Sequence, residues 1–223
     1  MATSAVRDHP LHLAGRYRKP ALVSWLVLAL LACPRPPGPL APEPPSAPTP
    51  EAEPGPAVTP CLRIEHLVAR KAERRLVIEC EGGFVFSVPA AFGRGDADAK
   101  RSAGDQRTPE GEYRITGPAR ASRFHRFIPI DYPSVADADA ALAEERLSSA
   151  EHARIAEAHE RGAMPPQDTT LGGELGLHGE GARWRGETQA LDWTNGCIAL
   201  SDRDIDFVAE RIETGTPLTI LPR

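Results

Sequence analysis

One histidine and one cysteine stand at a spacing suited to covalent chemistry: His178, in Leu177-His178-Gly179, is followed after fifteen residues by Thr194-Asn195-Gly196-Cys197-Ile198-Ala199. A thiol is a nucleophile only as its thiolate, and an imidazole folded alongside can take the proton at neutral pH. The pair therefore reads as an acyl-transfer centre. Cys197 attacks a carbonyl carbon, His178 accepts the thiol proton and later gives one to the departing amine, and the intermediate is a thioester. Gly196, lacking a side chain, lets backbone N–H groups of Asn195, Gly196 and Cys197 face the developing oxyanion. Gly179 permits close approach beside the histidine. A plainer reading exists for each residue alone: a cysteine in Cys197-Ile198-Ala199-Leu200 is a small core residue, and a single histidine is a surface or satisfied core group. With no Cys-x-x-Cys or His-x-x-x-His set in the chain, neither metal nor cofactor is expected.

Two further blocks lie upstream in a fixed order: Lys100, then Gly104-Asp105-Gln106-Arg107-Thr108-Pro109-Glu110-Gly111-Glu112-Tyr113, and then Ile130-Asp131-Tyr132-Pro133. Together with His178-Gly179 and Thr194-Asn195-Gly196-Cys197 they resemble the L,D-transpeptidase family, the YkuD-type catalytic domain of bacterial cell walls, over roughly residues 62 to 222. Asn195 stands where many members have histidine, and Ala199 where many have arginine or asparagine. The resemblance implies a mainly β, sandwich-like domain with helical insertions. It implies a cysteine-dependent enzyme that opens peptidoglycan stem tetrapeptides at the bond from diaminopimelate to the terminal D-alanine. The acyl group then passes to an amine, forming a 3-3 crosslink or tethering a protein to the wall. A carboxypeptidase on the same substrate uses the same nucleophile and base, and a wall-binding lipoprotein without catalysis is the rival from another class. Arg107 is the candidate anchor for substrate carboxylates because a guanidinium fork matches them; its other reading, the favoured one for Asp105, is a turn that sets backbone geometry. His125 and Tyr132 are candidates for the border of the cleft, whereas His66, His152 and His159 carry surface readings. Trp193, beside Thr194, is a cleft wall or a packing residue, and Arg107, Tyr132, Gly179, Trp193 and Thr194 are together the candidate substrate-binding residues.

Something must export and hold such a domain. Residues 1–20 carry Arg7, Arg16, Arg18 and Lys19 against Asp8, and residues 21–32 are uncharged and mostly apolar. That run is too short for a bilayer span of about 20 residues but fits a signal-peptide core. Leu30-Leu31-Ala32-Cys33 resembles a lipobox, with lipid attached to Cys33 after cleavage; an ordinary secretory signal is the alternative. Residues 34–60 hold twelve prolines in twenty-seven positions, a composition that stays extended and solvated and serves as a disordered tether. The expected protein is an exported monomer in the periplasm or cell envelope, held at the membrane by its lipid.

Removing Cys33 to lipid leaves Cys61, Cys80 and Cys197. Cys61 and Cys80 flank two apolar stretches, residues 62–68 and 76–78, around a charged turn, so a hairpin brings them near each other for a bridge. Cys197 is then a free thiol that an oxidising compartment selects against unless it works. The chain carries −5 overall; residues 1–32 contribute +3, which leaves −8 on the exported part and argues against a nucleic-acid partner.

Residues 61–223 suffice for one domain with its own core. Strands are expected at residues 84–88, 113–115, 127–130, 174–177 and 217–221, and a pair of helices at 137–159 inserted beside the cleft. A last helix over 202–212 has Ile205, Val208, Ala209 and Ile212 at helical spacing, a Ser201/Asp204 start and a Gly215 stop.

Overall fold

A computed structural model describes residues 61–96 and 98–223; the leader with Cys33 and the 34–60 tether lie outside the described residues. The first hairpin buries one face of each of its strands. In β1 (Ile64–Arg70) Ile64, Leu67 and Ala69 are buried, and in β2 (Arg75–Cys80) Leu76, Ile78 and Cys80 are. The turn between them closes with Arg74 at φ 52°. Pairing puts Cys80 opposite Ile64, with a register irregularity before His66, and Cys61 is disulfide-bonded to Cys80 with their Cα atoms 5.3 Å apart.

β3 (Val85–Pro89) extends that sheet antiparallel to β2, and β4 (Gly111–Arg114) lies at its other side. The last strand, β9 (Pro217–Leu221), enters between β1 and β4, giving the order β3-β2-β1-β9-β4. It runs parallel to β1 and antiparallel to β4. A second sheet has the order β5-β6-β7-β8, from β5 (Arg120–Ser122), β6 (His125–Pro129), β7 (Gly176–His178) and β8 (Ile198–Ala199). Leu67, Leu76, Ile78 and Leu218 of the first sheet and Ile128, Leu177 and Ile198 of the second share one core cluster. Each such buried side chain contributes about 1.5–3 kcal/mol of transfer free energy.

Helices α1 (Val135–Ala143) and α2 (Ser149–Glu160) separate β6 from β7, and each starts at a full capping box, Ser134 with Asp137 and Ser148 with Glu151. Glu151 does more than cap. Its Oε1 accepts from the Thr170 amide (2.9 Å) and hydroxyl (2.8 Å), which ties α2 to the loop leading into β7. α3 (Asp202–Ala209) begins at Ser201 as expected but ends before residue 212. It buries Ile205 and Val208 against the core, and Phe207 meets Phe86 of β3 edge-on at 5.4 Å.

Candidate active site

His178 ends β7, buried on a strand that is itself buried at every position. Its Nδ1 lies 2.6 Å from the Gly179 carbonyl oxygen. A carbonyl can only accept, so Nδ1 carries the hydrogen and Nε2 keeps its lone pair for a proton. The ring stacks on Phe124 at 4.5 Å and meets Trp193 edge-on at 5.4 Å, and Trp184 in turn stacks on Trp193. Burial in this aromatic setting holds the imidazole below its usual 6.5; the Gly179 carbonyl works against that, and Arg123 adds to it. His178 is thus a neutral base with a fixed tautomer.

Cys197 immediately precedes β8, which pairs parallel to β7 with Leu177 opposite Ile198 and His178 opposite Ala199. The pairing of β8 with β7 thus brings the backbone of Cys197, one residue ahead of β8, close to the strand that ends in His178. The thiol is partly buried and its Sγ donates to the Glu174 carbonyl oxygen at 3.8 Å. Desolvation pushes the thiol up to about 11 against the pull of the Gly176 amide and Lys100. Both groups are therefore neutral at rest.

Thr194 locks the nucleophile's turn. Its hydroxyl accepts from the Gly196 amide (3.1 Å) and donates to the Cys197 carbonyl (2.7 Å). The Gly196 N–H, one of the three amides expected to face an oxyanion, is thereby spent on Thr194. Thr194 itself is buried, a support of the turn and not a substrate contact. Gly196 is glycine because its φ is +126° and a Cβ there would sit 2.7 Å from the Arg107 carbonyl oxygen.

Arg107 thus meets the site through its main chain, while its guanidinium pairs with Asp96. Asp105 takes the turn role: it accepts from the amides of Arg101 (2.6 Å), Ser102 (3.0 Å) and Arg107 (3.1 Å) and from Lys100 Nζ (2.9 Å). Burial raises its carboxyl, but Lys100 and the three amides outweigh that and hold it below the usual range. Gly179 is crowded by the protein, since a Cβ there would meet Asp202 Oδ1 at 2.6 Å and the Phe124 carbonyl at 2.8 Å. Tyr132 does not border a cleft. It is a core residue whose hydroxyl donates to the Leu171 carbonyl (3.1 Å), 6.1 Å from the Tyr113 ring. Trp193 packs, but against the base itself. His125 is exposed and tied to Asp206 of α3 at 2.9 Å. His66 and His159 are partly buried, the first between Glu79 and Thr219 and the second on the Pro133 carbonyl; His152 pairs with Asp139.

A segment the sequence did not single out joins all of this. Residues 91–95 run between the Asp105 turn and the Cys197 turn: Ala91 exchanges hydrogen bonds with Ala199, the Thr194 amide donates to the Phe92 carbonyl, and the Arg94 amide donates to Thr194. The Gly93 amide donates to the buried Thr108 hydroxyl at 2.8 Å. Cβ atoms at Gly93 and Gly95 would strike the Gln106 and Asp105 carbonyls, at 2.2 and 2.7 Å. The glycine pair Gly93-Arg94-Gly95 is the sequence signal that a backbone passes close by. Ala199 is wholly buried against Ala91 and Trp193, so a larger side chain has no room there.

The model of the YkuD family, the L,D-transpeptidase catalytic domain, matches residues 64–220. The chain belongs to that family. Solved structures similar to it include Bd1075 of Bdellovibrio bacteriovorus, at 18% identity and TM-score 0.43 over 74% of this chain and 50% of that one. Others are an L,D-transpeptidase from Mycobacterium smegmatis, at 13% and 0.41 over 70% and 58%, and L,D-transpeptidase 3 of Mycobacterium tuberculosis with a faropenem-derived adduct, at 15% and 0.41 over 70% and 59%. The chain spans 50% to 59% of the length of these three structures. No curated protein matches it. Within this L,D-transpeptidase domain the sequence missed Phe124, which stacks on the base, and Glu180, a buried carboxylate that accepts from the Gly186 (2.7 Å) and Thr188 (3.0 Å) amides and shapes the loop carrying Trp184. Neither lies in a motif block.

Proposed function

We propose that this domain is a cysteine-dependent acyltransferase acting on peptidoglycan stem tetrapeptides. The reading rests on one observation above all: a neutral, tautomer-fixed His178 at the end of β7, the strand paired with β8, which the free thiol of Cys197 directly precedes. With a stem peptide seated, rotation of the Cys197 side chain away from the Glu174 carbonyl brings Sγ towards His178 Nε2. Sγ then bonds to the carbonyl carbon as its proton passes to Nε2, and the oxyanion takes hydrogen bonds from the Asn195 and Cys197 amides. Collapse breaks the bond to the terminal D-alanine, whose amine leaves with the proton from Nε2. An incoming amine repeats the sequence in reverse to give the crosslink; water in its place gives the tripeptide.

The basic, then apolar, leader and the cysteine at its end support export and lipid anchoring at Cys33, with the Pro-rich segment as the spacer to the wall. To test the activity, the full-length chain and Cys197→Ala are incubated with disaccharide-tetrapeptide and the products weighed by mass spectrometry. Cys197-dependent dimers are expected. Cys197-dependent tripeptides alone would make it a carboxypeptidase, and no Cys197-dependent product would remove the catalytic reading.

A further inference from the structure

Lys71 is 2% exposed, and an ammonium is seldom buried so completely unless it is paired. It stands in the turn 71–74 between β1 and β2, a place where charges ordinarily face water. Its Nζ donates to Glu110 Oε1 at 2.5 Å and to the Thr108 carbonyl oxygen at 3.4 Å. Glu110 is partly buried too, so removing either partner leaves the other charge poorly solvated. The acyl transfer described above uses neither residue.

Thr108 links this pair to the nucleophile's turn. Its hydroxyl accepts from the Gly93 amide at 2.8 Å, and Gly93 pairs in parallel with Thr194. The main chain of residues 106–108 passes close to two glycines. A Cβ at Gly93 would lie 2.2 Å from the Gln106 carbonyl oxygen and 2.9 Å from the Thr108 nitrogen, and one at Gly196 would lie 2.7 Å from the Arg107 carbonyl oxygen. Backbone packed this closely transmits a displacement instead of absorbing it. Lys71 holds the carbonyl at the end of that stretch.

Arg74, in the same turn, holds the other approach to Cys197. Its Nε donates to Asp192 Oδ1 at 3.2 Å and its Nη2 to the Thr188 carbonyl oxygen at 3.1 Å. The same Asp192 oxygen accepts from the Phe92 amide at 2.9 Å, and the Arg74 carbonyl accepts from the Ala90 amide at 2.9 Å. Asp192 directly precedes Trp193, which packs on His178, and Thr194, which shapes the Cys197 turn. Arg223 also pairs with Asp192, so Arg74 is the weaker of the two levers.

Resting on the proposed acyl transfer, we infer that Lys71 and Arg74 are positioning residues for the nucleophile. The turn between β1 and β2 clamps both chain segments that carry the Cys197 turn, Lys71 acting through Thr108 and Gly93, and Arg74 through Asp192. Neither side chain is required to touch substrate.

The test uses the full-length chain, with amide hydrogen exchange read residue by residue by NMR and steady-state kinetics on disaccharide-tetrapeptide. Phe207→Leu, which loosens the contact of α3 with β3, is the control for a general loss of stability. Lys71→Met should speed exchange at the Gly93, Thr194 and Gly196 amides about tenfold, the worth of one charged hydrogen bond, and leave Ile205 and Val208 of α3 unchanged; Phe207→Leu should do the reverse. Lys71→Met should also lower kcat at least about tenfold with KM held within about twofold, the signature of a nucleophile displaced without loss of a substrate contact. Arg74→Met should give a smaller fall, Lys71→Arg should recover part of the loss, and Phe207→Leu should leave both constants unchanged. Glu110→Gln, which removes the charge that Lys71 pairs with, should show the same pattern in smaller measure and serves if Lys71→Met does not fold. Exchange unchanged at Gly93, Thr194 and Gly196, or speeded equally in α3 and β9, overturns the inference. So does faster exchange with kcat unchanged, or a rise in KM alone. If wild type consumes no substrate the acyltransferase reading fails, while the exchange pattern still decides whether this turn holds Cys197 in place.

Discussion

In the proposed mechanism His178 and Cys197 divide the work of one proton, and the surroundings of both favour neutrality. Because desolvation pushes the thiol up to about 11, alkylation of the peptide-free protein by iodoacetamide should keep accelerating from neutral pH towards that value, read as label on Cys197 by mass spectrometry. A rate that levels off by pH 7 would mean a preformed ion pair and contradict the neutral resting state. Thr194→Val keeps the shape of the side chain and removes both hydrogen bonds that shape the turn. It should cost about 1–3 kcal/mol of stability, because a buried amide and carbonyl lose their partner, and slow turnover at least tenfold; an unchanged melting temperature would count against that lock. The family of the domain was legible in the chain because its motifs are local, short and rich in glycine. Tyr132 was not, although it lies in an equally recognisable block: whether a tyrosine faces a cleft or the core depends on what folds over it, and here that is the loop carrying Leu171.

At the level of elements, strong local signals served well. Ser201, with Asp204 three positions on, starts α3 as the sequence indicated; Ser134 and Ser148 start α1 and α2 in the same way but went unread, and that helical stretch was expected only from residue 137. β5 and β8, of three and two residues, are too short to show a period; β8 exists because β7 and residues 91–95 flank it. The Cys61–Cys80 bridge illustrates the same limit. Hairpin pairing alone puts Cys80 opposite Ile64, and Cys61 reaches it only because residues ahead of β1 turn back, held by Arg211 Nε on the Cys61 carbonyl at 3.0 Å. The bridge spans 19 residues, so Cys61→Ser/Cys80→Ser should lower unfolding free energy by about 3 kcal/mol in urea titration. A loss under about 0.5 kcal/mol would mean that Arg211 and the β1–β9 pairing already restrain the same ends.

For the molecule as a whole, the two site groups each add a limb to the stability–pH curve. The folded state keeps His178 below its ordinary 6.5, so the unfolded chain gains protons first as pH falls, and stability present above 6.5 drains away through the folded value. Cys197 acts in the opposite direction: its folded value of about 11 exceeds the ordinary 9.0, so stability held below 9 is lost as pH rises towards 11. Urea midpoints across pH should show both limbs, with Cys197→Ala flattening the alkaline one and His178→Phe the acid one. The middle position of β9 carries a different consequence, one of timing. The last strand to emerge during synthesis is the one that joins β1 to β4, so the first sheet stays open along both of those edges until residues 217–221 arrive. A chain still being made is thereby kept from closing early, and one cut short before β9 leaves two unpaired strand edges for proteases and chaperones to recognise.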